Sequence, residues 1–457
     1  MLIKNSSHQI YVLFPDLRIA GNCSNYLLLN PKDKSIKRIN LNYPVTSECY
    51  RHEELSAKFT SLMTGHQIDV VHFFHLIKYP LNLPLIAQLS GAKTVISFFD
   101  YYFICPQFNF LKKDNHFCDY PHVSIQTCDL CLKQRFNYQA NTQHTRQSLI
   151  SEVLYHTNAV HYLCSDQRSR MVTAYPHLQT KLSLTMGLGL DAQPQPQIDT
   201  KFVNYLAPLK VACVGNFDTN KGAELLLQVI DYYQSIKQQN IEFHIYGDTR
   251  HPYSTVLYEM AKQKTVKSHG SYTPEQLPKL LRECHIAVFA SIWPETFVLA
   301  LSEAWSCGLI PVAPKLGAFG ERINHGKNGF IYDYKDPGSL IKILDSFLSF
   351  TKQDFLDLLE GVSQVKYPSL QSNLDNYLSL YNRIHKTASD INSVEILSRL
   401  VIDVHPESWH SDSKSSSTIS VASGNKEILQ KAWQFYRREG LRSTINRFAK
   451  YANSKIK

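Results

Sequence analysis

Apolar and polar positions alternate in two registers along this chain. From about residue 208 to 350, short apolar runs take turns with longer amphipathic stretches. KVACVG, EFHIYG, VKSHG, IAVFAS, IPVAP and GFIYD read as strands. The stretches at 221–236, 253–263, 275–284, 296–307, 318–325 and 337–350 read as helices. The strands are near-continuous apolar runs, which predicts a parallel sheet covered on both faces with right-handed crossovers. The same alternation runs less regularly through the first part. There DVVHFFH (69–75), KTVISFF (93–99), AVHYLC (159–164) and KLSLTM (181–186) are the strand candidates.

Two segments break the pattern. Gly187–Lys201 contains two Gln-Pro steps, which favour extended backbone and stop helices. Residues 408–423 hold eight serines in sixteen positions and read as a flexible linker. The expected organisation is an α/β chain with a Rossmann-like domain at 1–190 and a second at 200–390. A serine-rich linker at 408–425 and a tail at 426–457 follow. Two such domains in tandem would place a ligand cleft between them.

Composition narrows the class. With 457 residues, 44% hydrophobic and 19% charged, the chain is globular and long enough for two or three domains. It has no run of 18 apolar residues, so no membrane-spanning helix is expected. Its N-terminus shows no secretory signal, so the ten cysteines are expected as reduced thiols or metal ligands in a cytoplasmic protein. The net charge of +9 is concentrated: residues 426–457 carry nine Lys/Arg against two Glu. That distribution argues against a nucleic-acid-binding body. Trp433, Phe435, Leu441, Ile445 and Phe448 share the tail with those charges, which suits a basic amphipathic helix lying on an anionic membrane surface at the cytoplasmic face. A terminal helix packed on its own domain is the alternative.

Three segments carry candidate chemistry. In SIWPETFVLALSEAWSCGLIPVAP (291–314), Glu295 follows a strand. Thr296 is expected to cap a helix that Gly308 closes, with Glu303 two turns in. Free N–H groups near Phe297 at that helix mouth would favour phosphate. In VGNFDTNKGAELL (214–226), a strand ends at Gly215 and Lys221-Gly222 opens the next helix, so Lys221 can reach a diphosphate. In KLGAFGERINHGKNGF (315–330), Gly317 and Gly320 permit close backbone approach to a ligand.

Taken together, these segments resemble the retaining glycosyltransferases of family 4, which have the GT-B fold. The resemblance covers about residues 65–385. Its sharpest element is the E-x7-E pair Glu295 and Glu303, with Lys-Gly at 221–222, YGD at 246–248, HGSY at 269–272 and GAFGE at 317–321 in order. It implies transfer of a hexose or deoxyhexose from a nucleotide-diphosphate-sugar donor to a glycan or lipid-linked acceptor, in bacterial surface-polysaccharide assembly. It also implies no metal in catalysis. Lys221 would neutralise the leaving diphosphate, Glu295 would hold sugar hydroxyls and Glu303 the ribose. Gly215, Asn216, Tyr272, Thr296, Phe297, Gly317 and Ala318 would complete the donor site. On the acceptor side stand Phe99, Asp100, His72 and His75.

The chain departs from the family at two of these positions. Asn216 stands where an Arg is usual, and Phe99 where a His precedes the Asp. An apolar ring there suits a 6-deoxy sugar. A nucleotide-sugar-binding protein without turnover and a sugar-nucleotide epimerase of the same fold are the rival readings. The loop at 100–135 resembles a subgroup with the pattern CP…C…CxxC. Cys105, Cys118, Cys128 and Cys131 are expected to hold a structural zinc, with His116 and His122 as alternative ligands and free buried thiols as the bland reading.

Overall fold

The computed structural model describes residues 8–16, 22–46, 49–190, 208–249, 251–262 and 265–386. Most of the Gln-Pro break, the serine-rich linker at 408–425 and the basic tail at 426–457 lie outside the described residues. Two compact units are present. One takes in Tyr11–Val71 and Lys78–Thr94, and the other His72–Ile77 and Val95–Asn382.

The smaller unit corrects the expectation of a Rossmann-like start. Its strands β1 (Val12–Pro15), β2 (Cys23–Asn30) and β3 (Ser35–Val45) form an antiparallel meander. The connections are too short to hold a crossover helix, so parallel pairing is not available to them. At the turn between β2 and β3, Asp33 accepts the N–H of Ser35 at 2.8 Å. Tyr26, Leu28, Ile39, Leu41 and Val45 bury one face with Leu55, from the helix Glu53–Gly65. His52 caps that helix, its Nδ1 accepting from Leu55 N at 3.1 Å.

A four-stranded sheet is ordered β4 (Val70–Phe73), β5 (Lys93–Phe98), β6 (Ala159–Tyr162), β7 (Ser183–Thr185). The β5–β6 and β6–β7 pairs are parallel, and every residue of β5 is buried.

The second sheet contains β8 (Leu209–Val214), β9 (Ile241–Tyr246), β10 (Val266–Gly270), β11 (Ile286–Val288), β12 (Ile310–Pro314) and β13 (Phe330–Tyr332). Their order is β10-β9-β8-β11-β12-β13, and all five pairs are parallel. Val211, Val288, Val312 and Phe243 pack against the helices Ala223–Ser235 and Pro337–Leu348 on one face. Trp305, Leu301 and Phe319 pack against the other face. The strand order runs outward in both directions from β8 and β11. The loops leaving those two strands therefore diverge to opposite faces, and a crevice opens at their C-terminal ends. Both the lysine and the acid singled out in the sequence lie on these two loops.

The helix Leu370–Lys386 then leaves the second sheet and reaches back to the first. Its start is fixed by a parallel bridge between Leu190 and Ser369 and by Asn373 Nδ2 donating to Gly187 O at 2.9 Å.

Candidate active site

The loop after β8 is shaped by steric necessity. Gly215 takes φ 118°, and a Cβ on Gly247 would collide with its carbonyl, so the ends of β8 and β9 close on each other. The half-buried Asn216 follows. Asp218 accepts from Lys221 N at 3.3 Å and closes the turn Thr219–Lys221. Gly222 is left-handed (φ 73°), and a Cβ there would strike the Ala290 carbonyl. This contact between loops delivers Lys221 to the segment after β11. Its Nζ lies 2.5 Å from Glu295 Oε1 and 5.9 Å from the centre of the Trp293 ring. Ser291 Oγ donates to the same carboxylate oxygen at 2.8 Å. The Glu295 side chain is 8% exposed, whereas that of Lys221 is 37% exposed. The acid is held in place, and the ammonium still reaches solvent.

The helix after Glu295 begins later than the sequence implied. It spans Leu299–Ser306 with Val298 at its N-cap, so Thr296 is not the cap and Glu303 lies one turn in, not two. Val298 has φ 64° and makes no side-chain cap bond. A β-branched residue in that region is strained. Arg322 holds the strained turn. Its guanidinium donates to the Phe297 carbonyl, to Val298 O at 3.0 Å and to Ser302 Oγ at 2.6 Å. It also stacks on Phe297 at 4.2 Å and on Trp305 at 5.2 Å. Burial pulls its pKa down to about 10, so it remains a cation at neutral pH. The sequence reading missed Arg322, although an Arg directly after GAFGE was a visible signal.

Three expected donor contacts prove to be internal. The Ala318 amide donates to Glu295 O at 2.7 Å. A Cβ on Gly317 (φ 56°) would run into the Glu295 backbone, so that glycine serves loop-to-loop approach. Tyr272 is 4% exposed and packs in the core with Tyr246 and Leu277.

From the first sheet, Phe99 O accepts from Thr296 Oγ1 at 2.8 Å, which ties the end of β5 to the Glu295 loop. The Phe99 ring lies 5.7 Å from Phe74, itself 48% exposed. Asp100 accepts from Tyr102 N at 2.8 Å and pairs with His75 Nε2 at 3.1 Å. His72 is a correction. Its Nδ1 lies 2.7 Å from the Tyr381 hydroxyl and its Nε2 2.7 Å from Ser97 Oγ, leaving it no nitrogen for an acceptor. The chain continues from Ser97 to His161 Nδ1 at 2.9 Å, and His161 Nε2 lies 2.8 Å from Met186 O. Burial pushes His72 down to about 3 and His161 down to about 4, so both are neutral. Glu321, also missed, accepts the N–H groups of Ser165 (2.9 Å) and Asp166 at the start of the helix Ser165–Ala174.

In the cysteine loop, Cys105, Cys118, Cys128 and Cys131 are free, partly buried thiols. Burial pushes Cys105 up to about 12 and Cys128 up to about 11, with neighbouring thiols of the set adding to the effect. His116 and His122 are exposed, and His116 instead pairs with Asp114 at 3.4 Å. Among the described residues, no three His, Cys, Asp or Glu side chains form a group that could hold a metal ion. Nor is any described helix long and apolar enough to cross a membrane.

The fold, with a lysine and an acid at the switch point of its six-stranded parallel sheet, is of the GT-B type. Solved structures share it: Anabaena Alr3699/HepE, crystallised with UDP, superposes with a TM-score of 0.55 at 16% identity. That match covers 72% of this chain and 82% of HepE. Residues 195–354 match the family model of glycosyl transferases group 1, and these residues include both Lys221 and Glu295. Spore coat protein SA of Bacillus subtilis is 20% identical over 370 residues, 74% of this chain and 92% of that protein. An uncharacterized 41.2 kDa protein in the cps region of Klebsiella pneumoniae is 28% identical over 138 residues. That stretch is 30% of this chain and 36% of the Klebsiella protein.

Proposed function

We propose that the protein transfers a sugar from a nucleotide-diphosphate donor to a glycan or lipid-linked acceptor, with retention at the anomeric carbon. The Lys221–Glu295 contact at the sheet's switch point carries this reading. A diphosphate entering there replaces Glu295 as the counter-charge of Lys221, and the freed carboxylate accepts from sugar hydroxyls. The bond from the anomeric carbon to the diphosphate oxygen breaks as the acceptor oxygen bonds on the same face. The acceptor's proton leaves with the departing phosphate. Lys221 stabilises the charge that grows on the leaving group, and Glu303 holds the ribose. The match at 195–354 and the UDP bound by HepE support a nucleotide donor. Similarity to a spore coat protein and to a protein of a cps region supports a role in a cell-surface glycan.

A panel of nucleotide-sugars with lipid-linked acceptors tests the reading. Diphosphate release and an axial-equatorial outcome matching the donor, read by NMR coupling, are expected. Inverted product, or binding without release across the panel, would overturn it. For the cysteine loop we propose a structural zinc on Cys105, Cys118, Cys128 and Cys131. The support is the spacing in the sequence, four thiols within 27 residues ending in C-x2-C, while among the described residues the side chains are not gathered into a metal-holding group. Protein purified without chelator should carry about one zinc per chain, as four-thiolate sites do, and metal-free protein of equal stability would sink the idea.

A further inference from the structure

Trp293 sits inside the proposed pocket with its polar atom idle. The side chain is 8% exposed, and its indole Nε1 has no hydrogen-bond partner. The Lys221 ammonium stands 5.9 Å over its ring, and Tyr101 from the end of β5 meets it edge-on at 6.4 Å. A second idle atom lies on the facing loop. Asn220 Oδ1, one residue before Lys221, is buried and likewise unpaired. The two loops are joined there, with Ile292 N donating to Asn220 O at 3.3 Å. Buried polar groups in folded proteins are almost always satisfied, and the exceptions concentrate where a ligand or water completes them. Here one orphan is a donor and the other an acceptor. A phosphate oxygen can accept but not donate, so it would leave Asn220 unsatisfied. A hydroxyl does both.

We propose that Trp293 Nε1–H and Asn220 Oδ1 bind a hydroxyl of the donor's sugar, making Trp293 a substrate-contacting residue beside Glu295. The inference rests on the nucleotide-sugar reading of this pocket. The indole plane, flanked by Tyr101, cannot swing away without losing its packing, so the N–H is held ready for the ligand. A buried donor without a partner is a cost that an accepting ligand oxygen recovers.

The test uses Trp293→Phe, which keeps a ring and removes the N–H, with Asn220→Ala as an independent variant. Calorimetric titration compares UDP with UDP-glucose and GDP with GDP-mannose. A wild type that binds no pair overturns the functional reading, and this inference with it. If the wild type binds a pair, both variants should lose about fivefold to tenfold in affinity for the sugar ester and nothing for the bare diphosphate. Unliganded Trp293→Phe should melt no lower than wild type. Equal losses for both ligands would assign the contact to phosphate. Unchanged affinity with a lower melting temperature would make Trp293 a packing residue. Either result overturns the proposal.

Discussion

Two polar regions of this protein, one inside the four-stranded sheet and one at the switch point of the six-stranded sheet, are built in opposite ways. In the first sheet, Tyr381, His72, Ser97, His161 and the Met186 carbonyl form a closed chain in which each imidazole nitrogen meets a protein atom. At the second sheet's switch point, Lys221 is more than a third exposed and Trp293 and Asn220 keep unpaired atoms. A satisfied network fixes geometry and has nothing left for a ligand. An unsatisfied one stays less stable until something binds. The comparison separates residues that hold the helix Leu370–Lys386 in place from residues that the proposed function puts against substrate. It removes His72 from the second group.

The sharpest way to break the comparison is Lys221→Met. It should lower kcat by about 10²- to 10³-fold, the usual cost of losing one charge-stabilising donor. Stability should fall by about 1–3 kcal/mol, because the buried Glu295 carboxylate loses a partly solvated counter-charge. A large loss of stability with modest loss of rate would make the pair structural.

The histidine chain should behave in the reverse sense. His161 has a depressed folded-state pKa of about 4, while an unfolded histidine titrates near 6.5. Between those values the unfolded state binds the extra proton, so stability is full above about pH 6.5 and falls as pH drops toward 4. The expected loss from this group is of order 3 kcal/mol. Denaturant unfolding at a series of pH values should show a flatter profile for His161→Gln. An identical slope would mean that the imidazole does not report on folding.

The smallest effect is expected at the junction of the two regions. Thr296→Val removes the bond to the Phe99 carbonyl. It should cost about 1 kcal/mol, or roughly fivefold in kcat/KM, with little change in melting temperature. Unaltered kinetics would show that this link does not position the Glu295 loop.

The second sheet was legible because its strands are covered on both faces and so are written as unbroken apolar runs. The place of Lys221 and Glu295 on strand-end loops was legible because the apolar runs mark where β8 and β11 stop. The first 45 residues were not, since the short turns that force antiparallel pairing leave only a faint alternation in SIKRINLNYPV. The start of the helix at Leu299 was hidden by a left-handed Val298, which no propensity favours. The partners of His72 and the Ala318 amide were out of reach for another reason. They lie beyond any local window, Tyr381 being 309 residues and Ser97 25 residues from His72.

The two crowded glycines have a practical corollary for anyone scanning this protein by random mutagenesis. Gly222 touches the Ala290 carbonyl and Gly317 the Glu295 backbone so closely that any side chain would wedge the loops apart. An activity screen would mark these positions as intolerant as Glu295 itself. A map of lost function would thus overstate the footprint of the substrate, and only a parallel record of folding yield would trim it back.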